Sequence, residues 1–377
     1  MREATQLRII LEILETFKGK EPLSRYLKKY FNLNRQLGSR DRRLIQQYVF
    51  NYFRIGKMAA ELPVVERLAI ANKICKSEPG PMLDYLLKDF PKIDRYVSHL
   101  EPDRIFSFSR HLTESISKAE YIHSFLVQPK VWIRVRAEFA NVVEKELSEK
   151  EIPFEKDDEE KLAWSLKNSS SLDQLETFLA GYFEIQDVSS QKTIWLIQPK
   201  AGEMWWDACA GAGGKSLMMA AAEPDIKLFC TDSRETILKN LGQRMQKAQV
   251  QNYVTKVLDL STGLKPRISN QFDGIVTDVP CSGSGTWSRS PEWLTFFDPK
   301  SIEKFQIMQR KIISSVVHFL PEHKPLVYIT CSVFKEENED NTAWVTQNLP
   351  LQLQTQLYFE GSAKGADTMF VARFTRV

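Results

Sequence analysis

The segment "EMWWDACAGAGGKSLMMAAA" (203–222) joins an apolar run, a glycine-rich loop and a second run of small and apolar residues. This succession predicts a strand, a loop and a helix. The glycines of "DACAGAGGK" (Asp207–Lys215) would let the backbone approach a ligand closely. The pattern is G-x-G-G rather than G-x-G-x-x-G, and it is too short for a Walker loop. Taken alone, it fits either a cofactor site or a tight turn.

Strands and helices continue to alternate beyond this loop. The predicted strands are "IKLFCTD" (226–232), "NYVTKVLD" (252–259), "FDGIVTDVP" (272–280), "PLVYITCS" (325–332) and "DTMFVARF" (367–374), with helices at 234–250 and 301–320. Alternation of this kind predicts a doubly wound, mostly parallel sheet. In such sheets ligands bind at the carboxyl ends of the strands.

Two acidic residues stand at predicted strand ends. Asp232 follows the second strand, 21 residues after Gly211, where a carboxylate can accept hydrogen bonds from ribose hydroxyls. Asp259 follows the third strand, where it could face an adenine. Each could instead cap a helix. We expect an adenosine-containing cofactor, and S-adenosylmethionine fits better than a dinucleotide because the last strands end in reactive side chains.

Two cysteines also follow predicted strands. Cys281 lies in "DVPCSGSGTWSRSPEW" (278–293) and Cys331 lies in "LVYITCS" (326–332). Methylation of cytosine carbon 5 needs a low-pKa thiol to add at carbon 6, an acid near the ring nitrogen and a second group for release. Asp278, Cys281 and Cys331 supply these groups. Burial as a small apolar residue is the alternative, and it suits Cys75 and Cys230 better.

The first 128 residues differ in character from the rest. Their apolar residues recur at helical spacing, and "GSRDRR" (38–43) is typical of a helix start with Ser39 or Asp41 as the cap. Residues 1–60 hold 13 Lys and Arg against 5 Asp and Glu, a net charge of +8. This charge fits either a polyanion partner or a solvated helical face.

A small α/β segment is expected between about 129 and 185. "KVWIRVR" (130–136) alternates and predicts a strand with one charged face, and "KLAWSLK" (161–167) predicts a second strand. "FANVVEKELSEK" (139–150) predicts a helix between them. "DDEEK" (157–161) predicts a solvated acidic turn.

Composition excludes several classes of protein. The five scattered cysteines give neither a disulfide framework nor zinc-ligand spacing, so we expect no metal and a reducing, cytoplasmic setting. No run of about 18 apolar residues predicts a membrane span. The first residues lack the pattern of a signal peptide. We expect a monomer.

Here the sequence resembles a known family. "DVPCSGSGTWSRSPEW" and "ITCSVFKEENED" (329–340) resemble two signature motifs of the Sun family of RNA cytosine carbon-5 methyltransferases, and "QDVSSQ" (186–191) and "DACAGAGGK" match that family's order. The resemblance covers about 129–377. "LGSRDRRLIQQYVFNYFRIGK" (37–57) resembles the NusB-like RNA-binding domain that precedes this catalytic unit in bacterial 16S ribosomal RNA cytosine methyltransferases.

The resemblance implies a role for each matching residue. Cys331 would be the nucleophile, Cys281 would assist release of the methylated base, and Asp278 would contact the cytosine edge near the methionine part of the cofactor. Lys215 would steady Asp278. The residues implied to bind S-adenosylmethionine are Cys209, Ala210, Gly211, Ala212, Gly213, Gly214, Lys215, Asp232, Asp259 and Asp278.

The implied organisation has three parts. An all-α NusB-like RNA-binding domain (1–128) and a small α/β RNA-binding segment (129–185) precede a Rossmann-like, S-adenosylmethionine-dependent methyltransferase domain with a mostly parallel sheet (186–377). The expected substrate is RNA, in particular 16S ribosomal RNA.

The chain departs from the family pattern at three places. The family has Ala-Pro where this chain has Gly211-Ala212, an aliphatic strand where it has Trp205-Trp206, and Arg-Val-Asn where it has Arg134-Val135-Arg136. Three alternatives therefore stay open. They are transfer RNA as the substrate, a DNA cytosine methyltransferase with Cys281 as the nucleophile, and a non-catalytic RNA-binding or ribosome assembly factor with an idle methyltransferase fold.

Overall fold

The computed structural model describes residues 2–77, 80–90, 93–99, 101–166, 172–269 and 271–377. The chain divides into two compact units. The first comprises residues 1–112, 117–128 and 286–299, and the second comprises residues 113–116, 129–285 and 300–377.

The first unit is helical, as predicted. Its N-terminal helices are α1 (Arg2–Thr16), α2 (Leu23–Leu33), α3 (Ser39–Arg54), α4 (Val64–Ile74), α5 (Pro81–Leu87), α6 (Ile93–Val97) and α7 (Lys118–Phe125). In α3 the buried Ile45, Val49 and Phe53 recur every four residues and face the core of the unit. Helix α3 begins where predicted, but the predicted cap is wrong, because Gly38 is the N-cap residue and Asp41 accepts hydrogen bonds from Arg2 and Gln6.

A later segment, 286–299, also packs in the helical unit. Arg54, fully buried at the end of α3, donates to the carbonyl oxygens of Phe125 and Ser288 at 2.9 Å in both cases. The Phe296 ring contacts the Phe17 ring edge-on, with centroids 5.5 Å apart. These contacts bring chain from far along the sequence into the core formed by the N-terminal helices.

The second unit begins with a four-stranded antiparallel sheet of order β2-β3-β1-β4. Its elements are β1 (Val131–Val135), α8 (Ala140–Glu149), β2 (Phe154–Lys156), β3 (Ala163–Leu166), α9 (Glu176–Leu179) and β4 (Phe183–Ile185). Two predictions about its charges are wrong. Arg134 on β1 is buried and donates to Gln186, and Asp157 is buried in ion pairs with Lys192 and Lys364 rather than solvated.

A seven-stranded sheet of order β10-β11-β9-β8-β5-β6-β7 forms the rest of the second unit. The strands are β5 (Met204–Asp207), β6 (Lys227–Asp232), β7 (Tyr253–Val257), β8 (Gly274–Asp278), β9 (Pro325–Thr330), β10 (Leu351–Phe359) and β11 (Met369–Arg376). The helices of this part are α10 (Val188–Lys192), α11 (Ile194–Ile197), α12 (Gly214–Ala222), α13 (Glu235–Lys247), α15 (Ser301–Val316) and α16 (Glu339–Asn348). The intervening helix α14 (Trp293–Phe296) belongs to the 286–299 segment of the first unit. Strands β5 to β9 pair in parallel and β11 pairs antiparallel with β9 and β10, so the predicted mostly parallel sheet is confirmed.

The central strand β5 is buried on both faces of the sheet. Successive side chains of a strand point to opposite faces. Trp205 therefore packs with Leu217 and Leu241 on one face, and Trp206 packs with Phe272 on the other. Room for Trp205 comes from Gly274, its partner on β8, where a Cβ atom would lie 2.5 Å from the indole ring.

No helix among the described residues is long and apolar enough to cross a membrane.

Candidate active site

Four neighbouring parallel strands end at one edge of the large sheet. Asp207 ends β5, Asp232 ends β6, Asp278 ends β8, and Cys331 directly follows β9. Because adjacent parallel strands run in the same direction, their last residues are brought together. The residues singled out in the sequence thus share this edge, with the exception of Asp259, described below.

The glycine-rich loop runs from β5 into α12. Gly211 and Gly213 have φ angles of +52° and +85°, which L side chains rarely adopt. A Cβ atom at Gly213 would also lie 2.8 Å from the Leu241 side chain. The loop is tied down by two bonds, from Gly211 N–H to Asp232 at 3.1 Å and from Arg244 to the Ala212 carbonyl oxygen at 2.6 Å. These two bonds fix the loop backbone beside the carboxyl ends of β5 and β6.

Asp232 is buried and charged. It accepts hydrogen bonds from the backbone and guanidinium N–H groups of Arg234, at 3.0 and 2.9 Å, in addition to Gly211 N–H. Burial alone would raise the pKa of Asp232, but these hydrogen bonds outweigh it and leave the pKa lowered. Its carboxylate fixes the loop and remains 7% exposed.

Asp259 lies apart from this cluster. Strand β7 ends at Val257, so Asp259 falls two residues beyond it in exposed chain. Its carboxylate accepts hydrogen bonds from the backbone and hydroxyl of Ser261, at 2.9 and 2.6 Å. This contact is a local turn, and the role of Asp259 in cofactor binding stays a prediction.

Lys215 and Asp278 form a partly buried ion pair. The Lys215 ammonium lies 3.1 Å from the Asp278 carboxylate, and only 6% of the lysine side chain is exposed, against 31% of the aspartate. Lys215 also donates to the Ser190 hydroxyl at 2.6 Å. Ser190 in turn accepts from Gln186 at 3.3 Å. Sequence reasoning named Lys215 and Asp278 but missed Ser190 and Gln186, although "QDVSSQ" contains both.

Asp207 is a third residue that sequence reasoning missed. It is fully buried, and its Oδ2 accepts a hydrogen bond from Ser216 at 2.5 Å. No hydrogen bond from a described residue reaches its Oδ1. Burial raises the pKa of Asp207 to about 7. An aspartate directly before the glycine loop was the available signal.

The two cysteines meet beyond β8 and β9. Their sulfur atoms lie 3.3 Å apart, although 50 residues separate them in sequence. Gly285 N–H donates to the Cys331 carbonyl oxygen at 2.8 Å, and a Cβ atom at Gly285 would lie 2.2 Å from the Thr368 carbonyl oxygen. Glycine at this position therefore lets the Cys281 loop lie against the segment after β9.

The other cysteines differ in their surroundings. Burial raises the pKa of Cys75 to about 12, and Cys230 is fully buried in the core.

Hydrogen bonding to Cys331 and burial both raise the pKa of Cys281, which keeps that thiol protonated. A low-pKa thiol is therefore not found at Cys281.

Among the described residues, no group of three or more His, Cys, Asp or Glu side chains is arranged to hold a metal ion.

Comparison with protein families gives a match over the large sheet. Residues 194–373 match the model described as 16S rRNA methyltransferase RsmB/F. The ribosomal RNA small subunit methyltransferase B of Yersinia pseudotuberculosis serotype O:1b (strain IP 31758) is 28% identical over 233 residues, which cover 59% of this chain and 52% of that protein. The corresponding protein of Yersinia pestis bv. Antiqua (strain Angola) is 29% identical over the same shares. The chain thus spans about half the length of these curated relatives.

Solved structures show similarity in fold. The crystal structure of PH0851 has a TM-score of 0.71 at 18% identity and covers 94% of this chain and 95% of its own. The crystal structure of NSun6 from Pyrococcus horikoshii with SFG has a TM-score of 0.61 at 16% identity, covering 69% of this chain and 94% of its own. These structures confirm the predicted Rossmann-like fold.

We predict that Asp207→Asn changes how stability depends on pH. The pKa of Asp207 is raised from 3.8 to about 7 on folding, so ionisation destabilises the folded state. Stability of the parent should fall, relative to the variant, as pH rises from about 4 to about 7, by an amount on the order of a few kcal/mol. Melting temperatures measured across this range check the prediction, with the exposed Asp225→Asn as the control. Parallel profiles for the parent and Asp207→Asn would contradict it.

Proposed function

We propose that this chain, which is similar over residues 194–373 to the RsmB/F family of 16S ribosomal RNA methyltransferases, transfers a methyl group from S-adenosylmethionine to carbon 5 of a cytosine in RNA. The observation that carries the proposal is the 3.3 Å approach of the Cys281 and Cys331 sulfur atoms beyond neighbouring strands, with Asp278 ending the first of them.

The acceptors at the strand ends fit S-adenosylmethionine. This molecule offers an ammonium group and ribose hydroxyls as donors, and Asp207 Oδ1 is a buried acceptor that no described residue satisfies. Asp232 would accept from the ribose hydroxyls, and the loop Cys209–Lys215 would contact the cofactor through its backbone. When bound, S-adenosylmethionine supplies the electrophilic methyl group.

The chain's own residues would provide the remaining chemistry. The Cys331 thiolate would add to carbon 6 of the cytosine, forming a carbon–sulfur bond and making carbon 5 nucleophilic. After methyl transfer, a water molecule would take the proton on carbon 5 as the carbon–sulfur bond breaks, which restores the ring and releases Cys331 as a thiolate. Cys281, whose thiol is held protonated beside the Cys331 sulfur, would assist this release by donating a hydrogen bond to the leaving sulfur.

Asp278 would orient the base. Its partly exposed carboxylate can reach a ligand, while the buried Lys215 ammonium holds it in place from behind. An acceptor here suits the exocyclic amine of cytosine. The ion pair is itself anchored through Ser190, which belongs to the chain that follows β4.

Small-subunit ribosomal RNA is the proposed substrate. The family description and the names of the Yersinia relatives support this choice. The basic helical unit supports an RNA partner of either kind, so transfer RNA is the alternative. The roles of residues 1–128 and 129–185 in RNA binding, the monomeric state and the cytoplasmic location stay predictions.

The cysteine variants test the mechanism. Cys331→Ala should be inactive and form no covalent adduct with RNA. Cys281→Ala should form the adduct, methylate it and stall, giving an RNA–protein band that survives denaturing electrophoresis in the presence of S-adenosylmethionine. Cys75→Ala, which removes a half-buried thiol of the helical unit, serves as the control and should keep full activity.

Other outcomes of this experiment would point elsewhere. A stable band from Cys331→Ala but none from Cys281→Ala would assign the nucleophile to Cys281, as in DNA cytosine methyltransferases. The absence of a band from either variant would favour the idle methyltransferase fold.

Cofactor binding depends on Asp232. Replacing it with Ala removes the acceptor for two ribose hydroxyls, which should weaken S-adenosylmethionine binding by about 2–4 kcal/mol. Titration calorimetry measures the loss, and Asp225→Ala, an exposed aspartate just before β6, should bind like the parent. Unchanged affinity of Asp232→Ala would remove this residue from the site.

RNA binding by the helical unit should depend strongly on salt. Arg35, Arg40 and Arg43 are exposed, and their replacement by Gln should flatten the slope of log affinity against log salt concentration by up to about 3. Fluorescence anisotropy with a ribosomal RNA fragment measures this slope.

A matched control removes the same charge from another part of the unit. Lys57, Lys76 and Lys88 are exposed and lie outside the 35–43 stretch. Their triple replacement by Gln should alter the slope less. Equal slopes for the two triple variants would show that the charge of 35–43 is merely solvated.

A further inference from the structure

Glu337 is a fully buried carboxylate in the turn between β9 and α16. Its side chain contacts both cysteine-bearing segments. Oε2 accepts hydrogen bonds from the hydroxyls of Ser282 and Ser332, each at 2.5 Å. Ser282 directly follows Cys281, and Ser332 directly follows Cys331, so one carboxylate oxygen holds the residue next to each thiol.

The second carboxylate oxygen strengthens this connection. Oε1 accepts from the backbone N–H of Ser282 at 2.9 Å and from the Gln309 side chain at 3.0 Å. Gln309 is itself fixed, because its carbonyl oxygen accepts from Asn341 at 2.7 Å and from the Tyr328 hydroxyl at 3.2 Å. The carboxylate is therefore held from α15 and β9 while it holds the two loops.

Glu337 is the acceptor that the two serine hydroxyls share. Ser282 and Ser332 lie 3.1 Å apart, and the Ser332 oxygen already accepts from Phe334 N–H. Each hydroxyl has a single proton to donate, and a carboxylate is an acceptor only. Burial raises the pKa of Glu337, and the hydrogen bonds from both serines, from Ser282 N–H and from Gln309 oppose that rise.

We infer that Glu337 is a positioning residue that sets the separation of the two thiols. Its bonds reach the residue directly after each cysteine, through the backbone N–H and hydroxyl of Ser282 and through the hydroxyl of Ser332. Without a shared acceptor, the loops would be joined by the bonds from Gly285 N–H to the Cys331 carbonyl oxygen and from Val333 N–H to the Ser284 hydroxyl, and by contacts among the serine hydroxyls. None of these bonds reaches the residues directly after both cysteines through one atom, as Glu337 Oε2 does. The consequence for methyl transfer rests on the proposed function, but the effect on thiol separation does not.

Phenylarsine oxide measures this separation without any methyl transfer. Its arsenic forms two As–S bonds with a pair of neighbouring thiols, while the As–O bond breaks and the oxygen leaves as water with both thiol protons. The parent protein, kept reduced, should bind one equivalent in a form that resists a monothiol and is released by a dithiol. Cys281→Ala and Cys331→Ala should each abolish this binding.

Glu337→Gln should lower the affinity for phenylarsine oxide at least ten-fold. The amide retains only one acceptor oxygen, so its N–H₂ group would face either the two serine hydroxyls or the donors Ser282 N–H and Gln309, and one of these sets of bonds is lost. Ser282→Ala and Ser332→Ala each remove one half of the connection and should weaken binding in the same direction. Asp340→Asn, an exposed carboxylate three residues away, is the matched control and should bind like the parent.

Two measurements separate positioning from general destabilisation. In Glu337→Gln, iodoacetamide should label Cys281 and Cys331 at the parental rates, and the affinity for S-adenosylmethionine should be unchanged. Turnover at saturating substrates should nevertheless fall at least ten-fold. Parental arsenical affinity in Glu337→Gln and in both serine variants would overturn the inference, as would a parent protein that fails to bind the arsenical. A parent protein that binds the arsenical as expected but transfers no methyl group to RNA would count against the proposed function alone.

Discussion

The burial of β5 on both faces is the constraint on which the large sheet depends. Trp205 and Trp206 are adjacent in sequence, yet one fills the core beneath α12 and α13 and the other fills the core on the opposite face. Such bulk at the centre of a sheet requires a compensating gap, and Gly274 on β8 provides it. With β5 fixed between β6 and β8, the ends of these strands and of β9 fall at the same edge. The positions of Asp207, Asp232 and Asp278 follow from that alignment, because each of them ends one of these strands.

The loops that follow these strands position further functional groups, which the strands do not carry themselves. The Cys281 loop and the segment after β9 converge until their thiols touch, and the glycine loop is drawn toward Asp232. Lys215 and Glu337 are both buried charges, and each binds partners from more than one segment. Burying a charge is costly unless it is fully paired, so these two residues stabilise one arrangement of the loops at the expense of others.

Sequence patterns predicted the parts that depend on periodicity and motif order. The parallel strands and the helical first region were foreseen from local signals, and the pairing of Lys215 with Asp278 was implied by the family resemblance. Strand β10 was missed, as were the short edge strands β2 and β4, because brief or exposed strands carry weak alternation. The burial of Arg134 and Asp157 was missed because their partners, Gln186 and Lys364, lie far along the chain. Glu337 was also missed, because nothing in "KEENED" (335–340) distinguishes this buried acid from the acids beside it.

The 286–299 segment has a consequence for how such a protein could evolve. Trp287 packs against Phe106 and Phe108, and Phe296 packs against Phe17, so a piece inserted after the Cys281 loop completes the helical core. A gene fusion that merely joined a helical module ahead of a methyltransferase would lack the Trp287 and Phe296 rings that pack into this core. Gain or loss of the N-terminal module therefore demands simultaneous change at a second place in the gene. We therefore expect the N-terminal helices and the 286–299 segment to be gained or lost together in evolution, although the residues of the large sheet separate them in sequence.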